Sequence, residues 1–382
     1  MDAAASAGTI DASDPWLWLL LAATAVVLLW LAVWAHVRYW HRRLSNPLDY
    51  DERHRVATVD GSAILLSRLW PHRQPLQTTH TAPPVLIIHG LAINERNCDA
   101  TGERSLARHL AASGRDVWLL TLRSGRLDHA RGERAKIDFT TMAAHDVPLG
   151  VAEVLARNGS AQLDLIGFSM GGMLLYATLG RAVATAQTRR VVIIGSPGRV
   201  RIPMWPLSLL RGLPSFLAPM MPYRLMAQVF APIAEHLVTP LHRIVYNPDN
   251  TDAGVVGPVL VDSVHDVPWA LHRQFARWAM SDGAVRAGNV AVLPGLAEVR
   301  VPVRFFAGAA DRLAPPSSVK IAFDAWGAAG GVDKTFAILG RAHGHRHDYG
   351  HGDLMFGRDA VDDLYAPIAQ FLNGAQPPSE RG

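Results

Sequence analysis

An uninterrupted apolar run near the amino terminus is the first clear pattern along the chain. Residues 15–35 contain no formally charged side chain, and about 20 apolar residues are what a helix needs to cross a bilayer. Aromatic residues, which favour the membrane interface, stand toward the two ends of the run: Trp16, Trp18, Trp34, Tyr39 and Trp40. A cleaved signal peptide usually has a basic start, whereas residues 1–14 contain Asp but neither Lys nor Arg. The pattern therefore predicts a transmembrane helix over residues 15–40, preceded by a short tail at residues 1–14.

Basic residues follow the uncharged run at residues 15–35, and none precedes it. They are Arg38, Arg42, Arg43, Arg53 and Arg55. Because Lys and Arg close to a span favour the cytoplasmic side, we expect the amino terminus outside and the rest of the chain in the cytoplasm. Residues 41–54 are then a juxtamembrane linker.

Short aliphatic runs alternate with helical patterns beyond the linker. A hairpin is expected around Asp60-Gly61, and helices are expected at residues 101–113 and 170–179. Compact strands are expected at residues 85–89, 116–122, 163–168, 191–195, 301–308 and 336–339. This alternation is typical of βαβ units and predicts an α/β fold, in which a mostly parallel, doubly wound sheet carries helices on both faces. The core is assigned to residues 55–197 and 297–373.

The regular alternation breaks at residues 198–296, which are rich in Pro, Met, Trp and Leu. We interpret this stretch as a helical cap inserted over the carboxyl edge of the sheet, with ordinary flanking helices as the alternative. Apolar side chains in a cap would shape a pocket for an acyl or other apolar substrate. Residues 374–382 are polar and predict a loose tail.

A glycine-flanked serine lies between a predicted strand and a predicted helix. Gly167, Ser169 and Gly171 form the spacing G-x-S-x-G, which places a nucleophilic serine on a sharp strand-to-helix turn, where only small neighbours avoid a clash. A Gly-rich turn that carries an ordinary serine is the alternative. The nucleophile hypothesis needs a base and an orienting acid later in the chain.

Asp311 and His351 occupy the places where that acid and that base are expected. A serine hydroxyl needs an adjacent base, usually His held in one tautomer by a carboxylate, and in doubly wound hydrolases the order is Ser, acid, His. Asp311 follows the predicted strand at residues 301–308, although a turn cap is another common role for Asp. His351 lies between Gly350 and Gly352 after the last predicted strand, and His343 and His345 are the fallback bases. Alternating histidines could hold a metal, but no Cys and no H-E-x-x-H spacing accompanies them, so no metal and no cofactor is expected.

An oxyanion hole would need two backbone donors near the serine. The N–H of Met170, directly after the nucleophile, is one candidate, and the second comes from the loop after the strand that ends at His89. Leu91 is the preferred second donor, with Ala92 as the alternative.

Composition and charge indicate which kinds of binding partner to expect. The calculated isoelectric point is about 9.4, but Arg is scattered and Lys is scarce, so no nucleic-acid partner is expected. The single cysteine, Cys98, excludes an internal disulfide. Nothing in the sequence indicates a protein partner.

The motifs together resemble a known superfamily. His89-Gly90-Leu91, the Ser169 turn, Asp311 and the segment of residues 349–357, with the sequence YGHGDLMFG, resemble the α/β hydrolases of the serine esterase and lipase type. The segment around His351 resembles that of acid-lipase-like enzymes and of bacterial hydrolase modules associated with sterol-oxidase-type flavoproteins, and more distantly of polyhydroxyalkanoate synthases. Those synthases carry Cys at the nucleophile position, so Ser169 argues against polymer synthesis. The resemblance implies hydrolysis of carboxylic esters of an apolar substrate, with Asp353 as a structural neighbour of the base.

The sequence therefore predicts a membrane-anchored serine hydrolase that cleaves small-molecule or lipid esters. Acyl transfer or thioester cleavage by the same three residues is the alternative within enzymes. A membrane scaffold that kept the fold and lost the chemistry is the alternative of another class.

Overall fold

The computed structural model describes residues 15–71, 82–129, 133–201, 222–234, 236–240 and 242–374. The predicted tail at residues 1–14 lies outside the described residues, as do residues 375–382 of the predicted carboxyl-terminal tail. Residues 202–221 of the predicted cap also lie outside them.

An eight-stranded sheet organises the described part of the chain. Its strands are β1 (Glu52–Ala57), β2 (Ala63–Leu69), β3 (Val85–Ile88), β4 (Val117–Thr121), β5 (Leu163–Phe168), β6 (Thr188–Ile194), β7 (Val303–Gly308) and β8 (Lys334–Leu339). They lie in the order β1-β2-β4-β3-β5-β6-β7-β8. Only β2 runs antiparallel to both of its neighbours, and the strands from β4 to β8 are parallel. The prediction of a mostly parallel sheet is confirmed.

The central strands are buried on both faces, which explains why their sequences are continuously apolar. Side chains of a strand alternate between the two faces. Leu86 and Ile88 of β3 therefore belong to one core cluster, and Val85 and Ile87 belong to the other. Helices cover both clusters.

The longer helices are α1 (Pro15–Leu44), α2 (Leu106–Ala112), α3 (Val147–Asn158), α4 (Met170–Thr178), α5 (Tyr223–Phe230), α6 (Trp269–Met280), α7 (Pro316–Ala325) and α8 (Ala366–Leu372). Single helical turns occur at Phe139–Thr141, His242–Val245, Val256–Pro258 and Asp353–Phe356. Helical turns of the wider π type occur at Met142–Asp146, Val259–Ser263 and Val361–Tyr365. A short two-stranded ladder pairs Arg286–Ala287 with Val290–Ala291.

The insertion between β6 and β7 contains α5 and α6, as the prediction of a helical cap requires. The apolar helix α1 stands apart from the sheet. It has a mean hydropathy of 2.4 over its most apolar 18 residues, none of which is buried inside the protein. Such a helix is long and apolar enough to cross a membrane, although a signal sequence passes the same test.

Candidate active site

Ser169 occupies the turn between β5 and α4. Its backbone angles are φ 52° and ψ −119°, a conformation that residues other than Gly rarely adopt. The N–H of Ser169 donates to the carbonyl oxygen of Ile194 at 2.9 Å, so the end of β6 holds the turn in place. The side chain is partly exposed. The nucleophile candidate therefore stands at the carboxyl edge of the sheet, where a substrate can reach it.

Two of the neighbouring glycines are required by space. A Cβ on Gly171 would collide with the carbonyl group of Ile88, and a Cβ on Gly167 would collide with the backbone of Gly172. The chain can turn this sharply only because these two positions lack a side chain. The spacing G-x-S-x-G thus has a direct steric cause in the structure.

The structure brings Asp311 and His351 to the serine. Nε2 of His351 lies 2.9 Å from Oγ of Ser169, and Nδ1 of His351 lies 2.7 Å from Oδ2 of Asp311. The three side chains come from the loops after β5, β7 and β8, since parallel strands place their carboxyl ends at one edge. The carboxylate requires the donor on Nδ1, which leaves Nε2 of the neutral ring free to accept from the hydroxyl.

Both carboxylate oxygens of Asp311, the predicted acid, have hydrogen-bond partners. Oδ1 of Asp311 accepts from the N–H groups of Leu313 and Ala314 at 2.8 and 2.7 Å, while Oδ2 faces His351. The ring of Phe168 packs against the imidazole, with the ring centres 5.0 Å apart. Both Asp311 and His351 are buried. The hydrogen-bonded carboxylate is therefore held in one orientation toward the ring.

The other histidines of the loop do not contact the serine. His343 is exposed, Nδ1 of His345 lies 3.2 Å from the carbonyl oxygen of Gly340, and Nε2 of His347 lies 3.8 Å from Oδ2 of Asp359. Within the described ranges, no group of three or more His, Cys, Asp or Glu side chains is arranged to hold a metal ion.

The loop after β3, residues 89–94, lies directly beside the serine, and we call it the oxyanion loop. A Cβ on Gly90 would come within 3.0 Å of Cβ of Ser169. Ala92 adopts a positive φ of 62°, which turns the chain sharply. Neither the N–H of Leu91 nor that of Met170 donates to a backbone carbonyl in the part of the chain that the structure describes. Of the two predicted oxyanion donors, Met170 directly follows Ser169, and Leu91 follows Gly90 in the loop beside it.

The side chain of His89 holds the oxyanion loop through two hydrogen bonds. It is fully buried. Its Nδ1 donates to the carbonyl oxygen of Gly90 at 2.8 Å, and its Nε2 accepts from the N–H of Leu122 at 3.1 Å. Burial lowers the pKa of His89 to about 4; the hydrogen bond to Gly90 opposes this shift, and His265 adds to it. His89 is therefore a neutral supporting side chain in this geometry.

A segment of the cap, residues 262–265, holds the other side of the oxyanion loop, and we call it the clamp segment. The N–H of His265 donates to the carbonyl oxygen of Ala92 at 2.8 Å, and the N–H of Asn94 donates to that of Ser263 at 2.9 Å. Nδ2 of Asn94 donates to the carbonyl oxygen of Asp262 at 3.0 Å. Sequence reasoning missed this contact because the clamp segment lies in the irregular cap, 168 residues after Asn94, and carries no motif.

A second network holds the loop of the base. The carboxylate of Asp353 accepts from the N–H of Asn247 at 2.9 Å, from Nδ2 of Asn250 at 2.8 Å and from the N–H of Gly350 at 3.0 Å. Burial raises the pKa of Asp353 to about 6, against the lowering effect of these three donors. The motif around His351 pointed to Asp353 as a neighbour of the base. Its cap partners Asn247 and Asn250 had no sequence signal.

Comparison with known proteins identifies the family. Residues 79–348 match the family described as serine aminopeptidase, S33, which is most of the chain. The chain belongs to this S33 hydrolase family. The match ends just before His351, so the predicted base lies beyond the matched region.

Named relatives and solved structures that resemble this chain agree with this assignment. A Schizosaccharomyces pombe protein named a "probable lipase" is 31% identical over 159 residues, which cover 39% of this chain and 35% of that protein. An esterase from Rhodococcus superposes with a TM-score of 0.52 at 18% identity, covering 85% of this chain and 99% of the esterase. A membrane phospholipase A, described as a bacterial virulence factor, gives a TM-score of 0.54 at 20% identity, covering 94% and 98% of the two chains.

These similarities establish the class of protein. The chain spans about a third of the length of the curated relatives it matches, and the solved structures share the fold. By family and by fold, the chain is an S33 hydrolase with an α/β-hydrolase fold, as the sequence motifs predicted, and the curated proteins that it resembles are named lipases.

Proposed function

We propose that the protein is a membrane-anchored serine hydrolase that cleaves carboxylic esters of apolar, lipid-like substrates. The hydrogen-bonded chain from Oγ of Ser169 through His351 to Asp311 carries the proposal. Ser169 is the nucleophile, His351 the base and Asp311 the acid that orients the base. No cofactor is needed for this chemistry.

Acylation begins when Nε2 of His351 takes the proton from Ser169 as Oγ attacks the ester carbonyl carbon. The imidazolium that forms is stabilised by the carboxylate of Asp311, which is itself held by two backbone donors. The carbonyl oxygen becomes an oxyanion, and the N–H groups of Leu91 and Met170 are the donors placed to stabilise it.

The tetrahedral intermediate then collapses. The imidazolium donates its proton to the leaving alkoxide, and an acyl ester of Ser169 remains. Water enters, His351 removes its proton, and the same two amides stabilise the second oxyanion. The acid product leaves, and the serine recovers its proton from the imidazolium.

Three observations support an apolar substrate and a membrane setting. Helix α1 is long, apolar and unburied within the protein. Curated relatives are named lipases, and one solved structure of this fold is named a membrane phospholipase A. An enzyme held at a bilayer meets esters whose acyl chains partition into lipid.

Ser169→Ala is the decisive test. Removing the nucleophile is expected to lower kcat on a chromogenic ester by at least about 10³-fold, because the remaining groups cannot form an acyl-enzyme. A fluorophosphonate probe should label the unaltered protein and not the variant. Near-normal turnover by the variant would overturn the assignment, and absence of labelling in the folded, unaltered protein would favour an inert scaffold.

Hydrolysis and acyl transfer share the acyl-enzyme, so products must separate them. When an alcohol acceptor is added to the ester assay, a hydrolase releases mainly free acid, and a transferase forms mainly the new ester. An assay on acyl-CoA distinguishes thioester cleavage in the same way.

A further inference from the structure

In helix α5 of the cap, apolar side chains are exposed and a polar side chain is buried, which is the opposite of the usual arrangement. A surface helix normally turns its apolar side chains toward the core and its polar side chains toward solvent. In α5 the only buried side chain is that of Gln228. Leu225, Met226 and Phe230 are exposed by 45%, 38% and 51%. A helix of this kind needs an apolar partner outside the protein core.

The apolar surface continues beyond the helix. Together with Ile233, Leu237 and Val238, which are 43%, 54% and 51% exposed, these residues form what we call the outer cap face. Outside α1, the described residues contain few other large exposed apolar side chains, and those at Val59, Leu127 and Val290 are scattered. The clustering of apolar side chains at residues 225–245 therefore marks a contact surface rather than an average protein exterior.

The contact with helix α1 shows where the outer cap face lies along the axis of α1. Nε2 of His36 donates to the carbonyl oxygen of Val229 in α5 at 3.0 Å. His36 lies 21 residues after Pro15, and at about 1.5 Å per residue this separation is roughly 31 Å along the helix axis. The hydrocarbon core of a bilayer is about 30 Å thick. Helix α5 therefore meets α1 where a membrane-spanning α1 would leave the hydrocarbon.

The side chains around this level are those of a membrane interface. Trp34 and Tyr39 are half exposed, and the guanidinium groups of Arg38 and Arg43 lie over their rings at 5.5 and 5.4 Å. Aromatic rings and basic groups are the residues that favour the headgroup region. Val229, which lies between Met226 and Phe230 of the outer cap face, contacts α1 at this level through His36.

The same part of the cap also reaches the base. The carbonyl oxygen of Val245, whose side chain is 50% exposed, accepts from the N–H of Gly352 at 2.7 Å. Gly352 directly follows His351. A continuous stretch of cap thus connects the level of α5 with the loop that carries the base.

We infer that the outer cap face inserts into the headgroup and upper acyl region of the bilayer beside α1, so that apolar esters pass from lipid to Ser169 along the cap. This inference rests on the membrane anchor of the proposed function. Amphipathic surfaces of this kind bury their apolar side chains about 5–10 Å into the boundary between headgroups and acyl chains. The bilayer is favoured over a second copy of the chain as the partner because the face continues from α1, which needs lipid itself.

Fluorescence in vesicles tests the inference on the full-length protein. Single cysteines are introduced by Phe230→Cys, Leu237→Cys, Val26→Cys and Val290→Cys and are labelled with an environment-sensitive NBD fluorophore. The only native cysteine, Cys98, is buried, and labelled unaltered protein gives the background. Each protein is reconstituted in vesicles of phosphatidylcholine and phosphatidylglycerol with or without spin-labelled lipid.

Blue-shifted emission that spin-labelled lipid quenches is expected at positions 26, 230 and 237, and water-like emission is expected at position 290. Quenching at position 26 with water-like emission at position 230 would overturn the inference and leave the anchor intact. Absence of quenching at position 26 would refute the anchor and the inference together. Blue-shifted emission at position 230 that lipid does not quench would mean that protein, such as a second copy, covers the face. Fluorophosphonate labelling of every variant reports that the fold is retained.

A second test compares the rates of hydrolysis of two esters. The double variant Phe230→Ser, Leu237→Ser is expected to lower the rate on a long-chain ester embedded in vesicles relative to the rate on a soluble short-chain ester. The matched control is Val59→Ser, Val290→Ser, which removes two apolar side chains elsewhere that are more exposed than Phe230 and Leu237 and should keep the ratio. An unchanged ratio in the first variant contradicts delivery along the cap.

Discussion

At the scale of single residues, the site depends on side chains that hold others in place. Ser169 keeps a rare backbone conformation because the carbonyl oxygen of Ile194 accepts its N–H and because Gly171 leaves room for Ile88. Such strain persists only where the surroundings over-determine the geometry. The same reasoning applies to the base, whose loop is held by the buried carboxylate of Asp353.

Asp353→Asn tests that support. The carboxylate accepts from three donors, and an amide of the same shape turns an NH₂ group toward at least one of them. An unsatisfied buried donor costs about 1–3 kcal/mol of unfolding free energy, and a displaced His351 lowers kcat. We expect roughly a tenfold loss of kcat with little change of KM, since the position of the base affects the chemical step more than ground-state binding.

The measurements are steady-state kinetics on a soluble ester and denaturant unfolding in detergent. The matched control is Asp324→Asn, which removes an exposed i,i+4 pair with Lys320 far from the base and should keep both values. If Asp353→Asn retained full kcat and stability, Asp353 would not be positioning the loop.

The pH dependence of stability tests whether the two buried histidines at the oxyanion loop, His89 and His265, are neutral in the folded protein. Burial lowers the pKa of both His89 and His265 from 6.5 to about 4, and for His265 the nearby Arg224 contributes to this shift. Between those values each of these two histidines binds more protons in the unfolded chain than in the folded chain, so the stability that they contribute above pH 6.5 is lost as the pH falls toward 4. The carboxyl groups of Asp146 and Asp353, whose pKa burial raises to about 6, act in the opposite direction in the same range. Each shift corresponds to roughly 3 kcal/mol at most.

The contribution of His265 is therefore measured as a difference. When denaturant midpoints are measured from about pH 7 to pH 4.5, the midpoint of the unaltered protein should fall relative to that of His265→Gln. Stability is the better readout here, because protonation of the base also lowers activity at acid pH. A variant slope as steep as that of the unaltered protein would show that His265 is not neutral in the folded state.

Some site residues were predictable from the sequence, and others were not, for a physical reason. Ser169, Asp311 and His351 each follow a strand of a parallel sheet, and the carboxyl ends of such strands meet at one edge; local sequence therefore indicates convergence. Asn247 and Asn250 act through contacts with a loop about a hundred residues later. No periodicity or spacing encodes such a contact.

At the scale of elements, strands were easier to predict than helix ends. The buried strands β3 and β5 read as continuous apolar runs, since both faces are covered. The helix expected at residues 101–113 begins only at Leu106, because Ser105 has extended backbone angles and its Oγ accepts from the N–H of Arg108 at 3.2 Å. A serine inside a helical pattern can cap the helix instead of joining it.

The clamp segment links three elements through one side chain. Oδ1 of Asp262 accepts from Oγ of Ser45 at 2.7 Å and pairs with Arg96 at 3.1 Å, and Oδ2 accepts from the N–H of Asn46 at 2.8 Å. Ser45 and Asn46 directly follow α1. Since the backbone of the clamp segment also holds Ala92 and Asn94, the end of α1 is connected to the oxyanion loop.

Asp262→Ala is expected to loosen that loop. The loss of a nearly buried acceptor leaves Arg96 and the start of the linker unpaired, at a cost of about 1–3 kcal/mol of unfolding free energy. We expect kcat on a soluble ester and the rate of fluorophosphonate labelling to fall several-fold, because both reactions need the oxyanion donors. Asp333→Ala, which breaks an exposed pair with Arg304, is the control. Equal effects of the two substitutions would assign Asp262 a general structural role.

At the scale of the whole molecule, the residues proposed for the chemistry lie at one edge of the sheet. The proposed nucleophile follows β5, the proposed acid β7 and the proposed base β8, and the cap begins after β6 and ends before β7. Because the cap also contacts α1, the orientation of α1 in a membrane decides on which side the reaction takes place.

The charge asymmetry around α1 predicts that orientation. Five arginines from Arg38 to Arg55 follow the apolar run, and the charged side chains of residues 1–14 are all acidic. The catalytic domain should therefore face the cytoplasm. In a bacterial host, a green fluorescent protein fused after Gly382 should fluoresce, and an alkaline phosphatase fused there should be inactive. The variant Asp2→Lys, Asp11→Lys, Asp14→Lys places basic residues before α1 and should produce a mixture of both orientations. An active phosphatase fusion on the unaltered chain would instead place the catalytic domain outside, and the basic residues after α1 would then serve another purpose than setting its orientation.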